Sequence, residues 1–179
     1  MKENYGTDIL HSGKLIVVEY SDPNPFKVLH AGHLYTTLVG DTIARLLEIT
    51  GAKVKRVNFG GDVGLHVARA MWGIINSLEG EYPEKLKDVA KADRATWMSN
   101  CYVQGNIAYE EDEVKKAEIV AINKKVYELH DTSDKSSDFA QIYWTCRRWS
   151  YDGFDQVYQA LEVHGFDTYY PESMTVNIG

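Results

Sequence analysis

The sequence predicts an α/β protein in which a parallel sheet, opened by a strand–helix–strand unit, is interrupted by a largely helical insertion. Three observations predict it. Lys14–Tyr20 (KLIVVEY) and Lys53–Asn58 (KVKRVN) are short runs with strand character on either side of a helical pattern. Together they fit within roughly 45 residues, as a right-handed βαβ unit requires. From Pro83 to Gly165 apolar residues recur at helical spacing, and Phe166–Tyr170 is then a short aromatic run suited to a strand.

The first run, KLIVVEY, is apolar and β-branched, and reads as a buried strand. The following SDPNPFKVL contains two prolines, each biasing its predecessor toward extended geometry, so a loop is expected. A long helix should start near His30 or Ala31, with Leu34, Leu38, Ile43, Leu46, Leu47 and Ile49 as its apolar face. Gly51 stands where a helix C-cap is expected. After the alternating KVKRVN strand, Phe59–Gly64 (FGGDVG) reads as a glycine-rich turn, and a helix follows from Leu65 to about Asn76. Further on, Ile119, Ile122, Val126 and Leu129 mark one helix, and Phe139, Ile142, Cys146 and Trp149 a second. Phe154, Val157, Tyr158 and Leu161 mark a third, stopping at Gly165, and Asp131–Ser137 is a polar linker. The expected organisation is residues 1–70 as the first half of an α/β core, 71–165 as a helical insertion, and 166–179 as a truncated return toward the sheet.

Of the 179 residues, 44% are hydrophobic and 25% charged, an ordinary globular composition. No apolar run approaches the roughly 20 residues that cross a bilayer. MKENYGTDIL lacks the pattern of a secretory signal, so a cytoplasmic protein without a leader is expected. Cys101 and Cys146 have no ligand spacing and read as two buried thiols in a reducing cytosol, with no metal site. The net charge of −7 does not advertise nucleic-acid binding by the surface as a whole, so no DNA partner is expected and an RNA partner would need local patches or further domains. Two small basic clusters, Lys53–Lys55–Arg56 and Arg147–Arg148, read as solvated faces.

The segment that carries chemistry is EYSDPNPFKVLHAGHL, Glu19–Leu34. His30 and His33 lie three positions apart at a helix start, so both imidazoles project from one face. Gly32 between them removes a side chain where a flat ligand could approach. A helix N-terminus favours anions, and Lys27 adds a cation near the same point. The arrangement suits a triphosphate whose charge grows on a pyrophosphate leaving group. A hydrogen-bonded histidine pair or a metal site would use the same two residues, although no third ligand stands nearby.

VEYSDPNPFKVLHAGHL, Val18–Leu34, closely resembles the signature of arginyl-tRNA synthetases, class I enzymes that typically read VEFSSPNPxKPLHVGHLR. Pro23–His33 corresponds to the family's HIGH region. Gly40-Asp41 and Ala44-Arg45-Leu46-Leu47 resemble its helix, VNFGGDVG (Val57–Gly64) its RVNYxGDWG turn, and FDQVYQALEVHGFDTYYPES its later F-x-x-x-Y…F-D-x-Y-x-x-E-S stretch. The resemblance implies a Rossmann-like class I synthetase catalytic core, with a HUP-type parallel sheet. It also implies ATP as substrate with Mg2+, and arginine and tRNA(Arg) as partners. Lys27, His30, Gly32 and His33 would bind ATP, with Lys27, His30 and His33 catalytic, while Glu19, Ser21 and Asn24 would hold the arginine α-amino and α-carboxylate groups.

The chain departs from the pattern at Asp22 (usually serine), Tyr35 (usually arginine), Val63 (usually tryptophan) and His66 (often glutamine). Asp62 could cap the following helix or touch nucleotide. The family's KMSKS-like loop, its later guanidinium-binding residues and its tRNA-binding domains have no counterpart here, so a fragment inactive alone is expected. The alternatives are an HxGH nucleotidylyltransferase and a non-catalytic nucleotide-binding fragment.

Overall fold

The structure, a computed structural model, describes residues 6–175. Residues 1–5 and 176–179 lie outside the described residues, and with them the start of the N-terminus expected to carry no leader and the end of the expected return toward the sheet. Strand β1 (Leu15–Glu19), helix α1 (Ala31–Ile49) and strand β2 (Lys53–Gly60) form the expected strand–helix–strand unit. Four helices follow: α2 (Leu65–Ser77), α3 (Arg94–Glu111), α4 (Glu113–Asp131) and α5 (Asp138–Ala160). Strand β3 (Thr168–Pro171) completes a sheet of order β1-β2-β3 in which both pairings are parallel. No described helix is long and apolar enough to cross a membrane.

The chain forms two compact units. One takes the chain up to Pro23 with Leu29–Gly60 and Gln156–Pro171; the other takes Asn24–Val28, Gly61–Asp155 and the described residues from Glu172. In the first, α1 ends in a Schellman motif: Gly51, at φ 90°, donates to Glu48 O and Ala52 donates to Leu47 O. Two expectations are overturned in this unit. β1 is not a buried strand, because it pairs only with β2 among the described residues and its side chains alternate, leaving Leu15 and Val17 each 60% exposed. The face α1 buries is likewise not its apolar one. Thr37, Gly40, Asp41 and Ala44 are covered while Leu38, Ile43, Leu46 and Ile49 are exposed.

The reason is polar. Arg56 on β2 is buried, donates to both oxygens of Glu48 at 2.7 and 2.8 Å, and brings its Nε within 3.7 Å of Asp41. Asp41 also accepts from Arg45 at 2.6 Å and from the His164 backbone at 3.2 Å. Burial alone would raise the Asp41 carboxyl, but these donors hold it below the usual carboxylate range. A side of α1 that must satisfy a buried ion network cannot also be its most apolar side.

The second unit holds a continuous core. Phe26, Val67, Met71, Ile74, Met98, Cys101, Val126, Phe139, Ile142, Tyr143 and Cys146 are all buried in it. Each large apolar side chain there contributes about 1.5–3 kcal/mol of transfer free energy. α2 and α3 approach closely at glycines: a Cβ on Gly73 would lie 2.0 Å from Cys101 O, and one on Gly105 1.9 Å from Arg69 O. Asp112 separates α3 from α4 by capping α4, accepting from Val114 N at 2.9 Å and Lys115 N at 3.1 Å. The second and third expected helices of the insertion are one helix, α5, uninterrupted because no breaker lies between Trp149 and Phe154 except Gly153, which a helix tolerates. Both cysteines are free and buried, and burial raises both thiols, Cys101 to about 11.

Candidate functional site

In the first unit the site is the start of α1. His30 is the N-cap in extended geometry, and its Nδ1 accepts from Gly32 N at 3.1 Å. Reciprocally, the His30 N–H donates to His33 Nδ1 at 3.3 Å, closing a capping box made of two histidines. The ring centroids are 3.9 Å apart. An Nδ1 that accepts carries no proton, so in the neutral ring the proton sits on Nε2. Both imidazoles are thereby fixed as Nε2–H tautomers at the positive end of a helix dipole. Gly32 is constrained by the same geometry, because a Cβ there would lie 2.9 Å from His30 Cε1.

Between β1 and α1, Ser21 and Asp22 adopt positive φ values of 75° and 47°. Such conformations cost about 1–3 kcal/mol each and persist only when neighbours hold them. Here the Asn58 side chain donates to Tyr20 O at 3.1 Å, and the Phe59 N–H donates to Asp22 Oδ1 at 2.7 Å. Asp22 therefore ties the loop to β2. Burial pushes its carboxyl up, the Phe59 donor opposes this, and the Glu19 charge adds to the rise. The Ser21 hydroxyl is buried, 2.8 Å from Tyr158 OH and 2.7 Å from Thr37 Oγ1, which is itself 2.7 Å from His33 O. Ser21 thus braces the loop against the first turns of α1. Glu19 is exposed at the end of β1.

The second unit holds a cluster of its own around Gly61. The Gly61 N–H donates to Asn24 Oδ1 at 3.0 Å, and His66 Nε2 lies 2.8 Å from Gly61 O. A carbonyl only accepts, so His66 carries its proton on Nε2. Burial draws the His66 pKa down, although the bond to Gly61 O opposes the fall. With Oδ1 engaged, the Asn24 side chain faces a partner as an NH2 donor. A Cβ on Gly61 would lie 2.6 Å from Asn24 Oδ1 and 3.2 Å from Glu172 Oε2, which puts an acidic group beside that amide.

Lys27 stands with its Nζ 4.7 Å from the centre of the Tyr102 ring. Burial disfavours ionisation of Tyr102, yet Asn106 and the Lys27 ammonium bring its pKa below the ordinary value. Asp62 neither caps α2, whose N-cap is Gly64 without a side-chain bond, nor reaches outward. It is fully buried, accepting from Arg147 Nε at 2.9 Å, Ser173 N at 2.9 Å and Ser173 Oγ at 2.8 Å. Its carbonyl accepts from Tyr143 OH at 2.7 Å.

Sequence reasoning singled out Glu19, Ser21, Asn24, Lys27, His30, Gly32 and His33, and met Asp62 and Glu172-Ser173 only as parts of family-like stretches, but it missed Tyr102 and the tie of Asp62 to Arg147 and Ser173. The partners in that tie lie tens of residues away, so no short motif pairs them. The Arg147 and Arg56 side chains, expected on solvated faces, are instead held in ion pairs with buried partners. Among the described residues no group of three or more His, Cys, Asp or Glu side chains could hold a metal ion.

A parallel sheet whose first crossover helix begins on two Nε2–H histidines fits a class I aminoacyl-tRNA synthetase core of Rossmann-like architecture. The chain belongs to the family of class I (R) tRNA synthetases, catalytic domain, whose model matches residues 1–177. It is 33% identical over 174 residues to the arginine–tRNA ligase of Treponema denticola, covering 97% of this chain and 28% of that protein. To the arginine–tRNA ligase of Borreliella burgdorferi it is 30% identical over 178 residues, covering 99% and 28%. The chain thus spans about a quarter of the length of these relatives. The solved arginyl-tRNA synthetase of Thermus thermophilus shares the fold with a TM-score of 0.65 at 22% identity, over 93% of this chain and 25% of that one. The Plasmodium falciparum enzyme does so with a TM-score of 0.64 at 22% identity, over 99% and 26%.

Proposed function

We propose that this chain carries part of the active site of an arginine–tRNA ligase acting in the cytoplasm, with ATP, arginine and tRNA(Arg) as substrates. The arginine carboxylate oxygen attacks the α-phosphorus of ATP, the bond to the β-phosphate breaks, and pyrophosphate leaves with arginyl-adenylate formed. A terminal ribose hydroxyl of tRNA then attacks the adenylate carbonyl and AMP departs. Mg2+ carried on the ATP phosphates would offset part of their charge, with no protein ligand assigned to it among the described residues.

The observation that carries the reading is the double-histidine capping box, which commits both Nδ1 atoms to backbone and makes both Nε2–H groups donors at a helix N-terminus. Such donors stabilise charge that grows on the leaving phosphates. Lys27 adds a cation for the same phosphates, and Gly32 keeps the approach to the backbone unobstructed. Asn24, with Oδ1 engaged, offers its NH2 to the arginine carboxylate, and Glu19 takes the α-ammonium. Ser21 serves the arginine end by fixing the strained loop.

Arginine-dependent ATP–pyrophosphate exchange with tRNA present tests this reading, on this chain and on a version extended to the length of the relatives. The extended protein exchanges, and His30→Ala or His33→Ala lowers its rate by about 10²–10³-fold. This chain alone shows little or no exchange, and full activity from it would contradict the fragment reading. Exchange by the extended protein that ignores arginine would overturn the function altogether.

A further inference from the structure

Outside the residues assigned to ATP and arginine, the second unit holds another polar hollow. Lys87, from the 3-10 segment Pro83–Asp88, joins Arg94 at the start of α3 and Gln141, Thr145 and Arg148 on α5 around a cavity of about 550 Å3. Trp149, only 7% exposed, also lines it. The Arg94 guanidinium carbon lies over this ring, 4.1 Å from its centre. Held there, Arg94 Nε is buried and has no hydrogen-bond partner.

Most of the other arginines here are paired: Arg45, Arg56, Arg69 and Arg147 all meet carboxylates. Among the described residues no carboxylate lies within ion-pair distance of Lys87, Arg94 or Arg148. In a chain of net charge −7, three such cations on one hollow are a local exception to the surface as a whole. A buried N–H left unmet is unfavourable, and an incoming acceptor would relieve it. A planar guanidinium fork, a second arginine, an ammonium, an amide and a hydroxyl form a donor set suited to a phosphate group.

We propose that this hollow binds a backbone phosphate of RNA. Two features favour a phosphodiester over free phosphate or a nucleotide. Glu84 and Asp138 share the lining, so three cations face two carboxylates, and the balance matches a monoanion better than a dianion. Lys87, Gln141 and Arg148 are exposed, so a polymer can run across the hollow, whereas a small anion would be held on one side only. One face of Trp149 is already covered by Arg94, leaving backbone contact in place of base stacking on that face, and binding is therefore insensitive to base sequence. The ligase reading enters only in choosing RNA as the polyanion.

The test is titration of this chain with a labelled short RNA duplex across a range of salt, alongside Lys87→Gln and Arg148→Gln. Both variants replace exposed side chains, so folding, followed by circular dichroism, is retained. Affinity falls with salt, and each variant lowers the slope of log K against log[salt] by about 1 and weakens binding by about 3–10-fold. In parallel, the Arg94 side-chain Nε–H resonance moves on addition of RNA. Inorganic phosphate at the same concentration does not move it. The site is overturned if the wild-type chain fails to bind RNA, or if the double variant binds with unchanged slope. A response to inorganic phosphate equal to that with RNA would make it a small-anion site and sink the RNA assignment. A negative result here alongside arginine-dependent exchange removes this site and leaves the ligase reading intact. RNA binding without exchange does the reverse.

Discussion

At the residue scale, the departures from the arginyl-tRNA synthetase pattern are where the structure is most informative. Asp22 stands where the family usually has serine, and from the sequence it places a negative charge near a polyanion site. In the structure its Oδ1 accepts from Phe59 N and holds a residue at φ 47°. Asparagine keeps that acceptor and loses the charge. Because burial and Glu19 raise the folded-state pKa above its unfolded value, the folded protein binds this proton more tightly. The associated stability is therefore complete below the unfolded pKa, near 4, and is lost as pH rises through the folded value. Asp22→Asn accordingly stabilises the protein at pH 7 by less than about 1 kcal/mol, since the site is partly solvated. The gain shrinks as pH falls through the raised folded-state value and is gone below about 4. Denaturant midpoints of both proteins at the two pH values check this, and a gain that persists unchanged at low pH would contradict the assigned cause. His66, where many relatives have glutamine, follows the same logic of substitution: either side chain can donate to Gly61 O.

At the element scale, glycine and polar pairs decide packing that hydrophobic pattern alone does not. α1 carries its leucines and isoleucines outward because the Arg56–Glu48–Asp41 network claims its inner face. α2 and α3 can approach each other only because Gly73 and Gly105 lack side chains. Gly73→Ala weighs two effects of opposite sign. Alanine gains about 1 kcal/mol of helix propensity, but its methyl would sit 2.0 Å from the Cys101 carbonyl oxygen. That oxygen is backbone inside α3 and cannot turn aside, so the helices must separate and the core must loosen. The clash wins, with a loss of about 2–3 kcal/mol and a melting temperature lower by roughly 5–10 °C. A variant that melts at or above the wild-type temperature would show that α2 and α3 are packed less tightly than this.

At the scale of the whole molecule, the parallel strand–helix–strand opening was legible because period-2 and period-3.6 patterns are local. So were the histidine helix start and the Asp131–Ser137 linker. What was not legible depended on distant partners. Nothing near Leu15 or Val17 says that β1 has a single neighbour, and nothing near Asp62 says that Arg147 and Ser173 fill its carboxylate. The Asp112 cap was hidden in a run of acidic residues, where a helix stop looks like helix surface. The same contrast between covered and uncovered apolar residues predicts how stability is distributed. The second unit buries a large apolar cluster, with Cys101 2% and Cys146 0% exposed within it, although Val103, Ile107, Val114 and Val120 stay exposed. The first leaves Leu15, Val17, Leu38, Ile43, Leu46 and Ile49 in water, so less transfer free energy holds it. Amides that open only with a buried core exchange slowly, whereas those on thinly covered elements exchange through local opening. Native-state hydrogen exchange should therefore find α2 and α3 protected by at least about 10-fold more than β1 and α1, a difference of about 1.4 kcal/mol in opening free energy. Alkylation of Cys101 and Cys146 should proceed at the slow rate of the α2 and α3 amides, because both thiols are reached only when that core opens. Equal protection of α1 and α2, or thiols that react at the rate of the fast amides, would show that the buried core does not set local stability here.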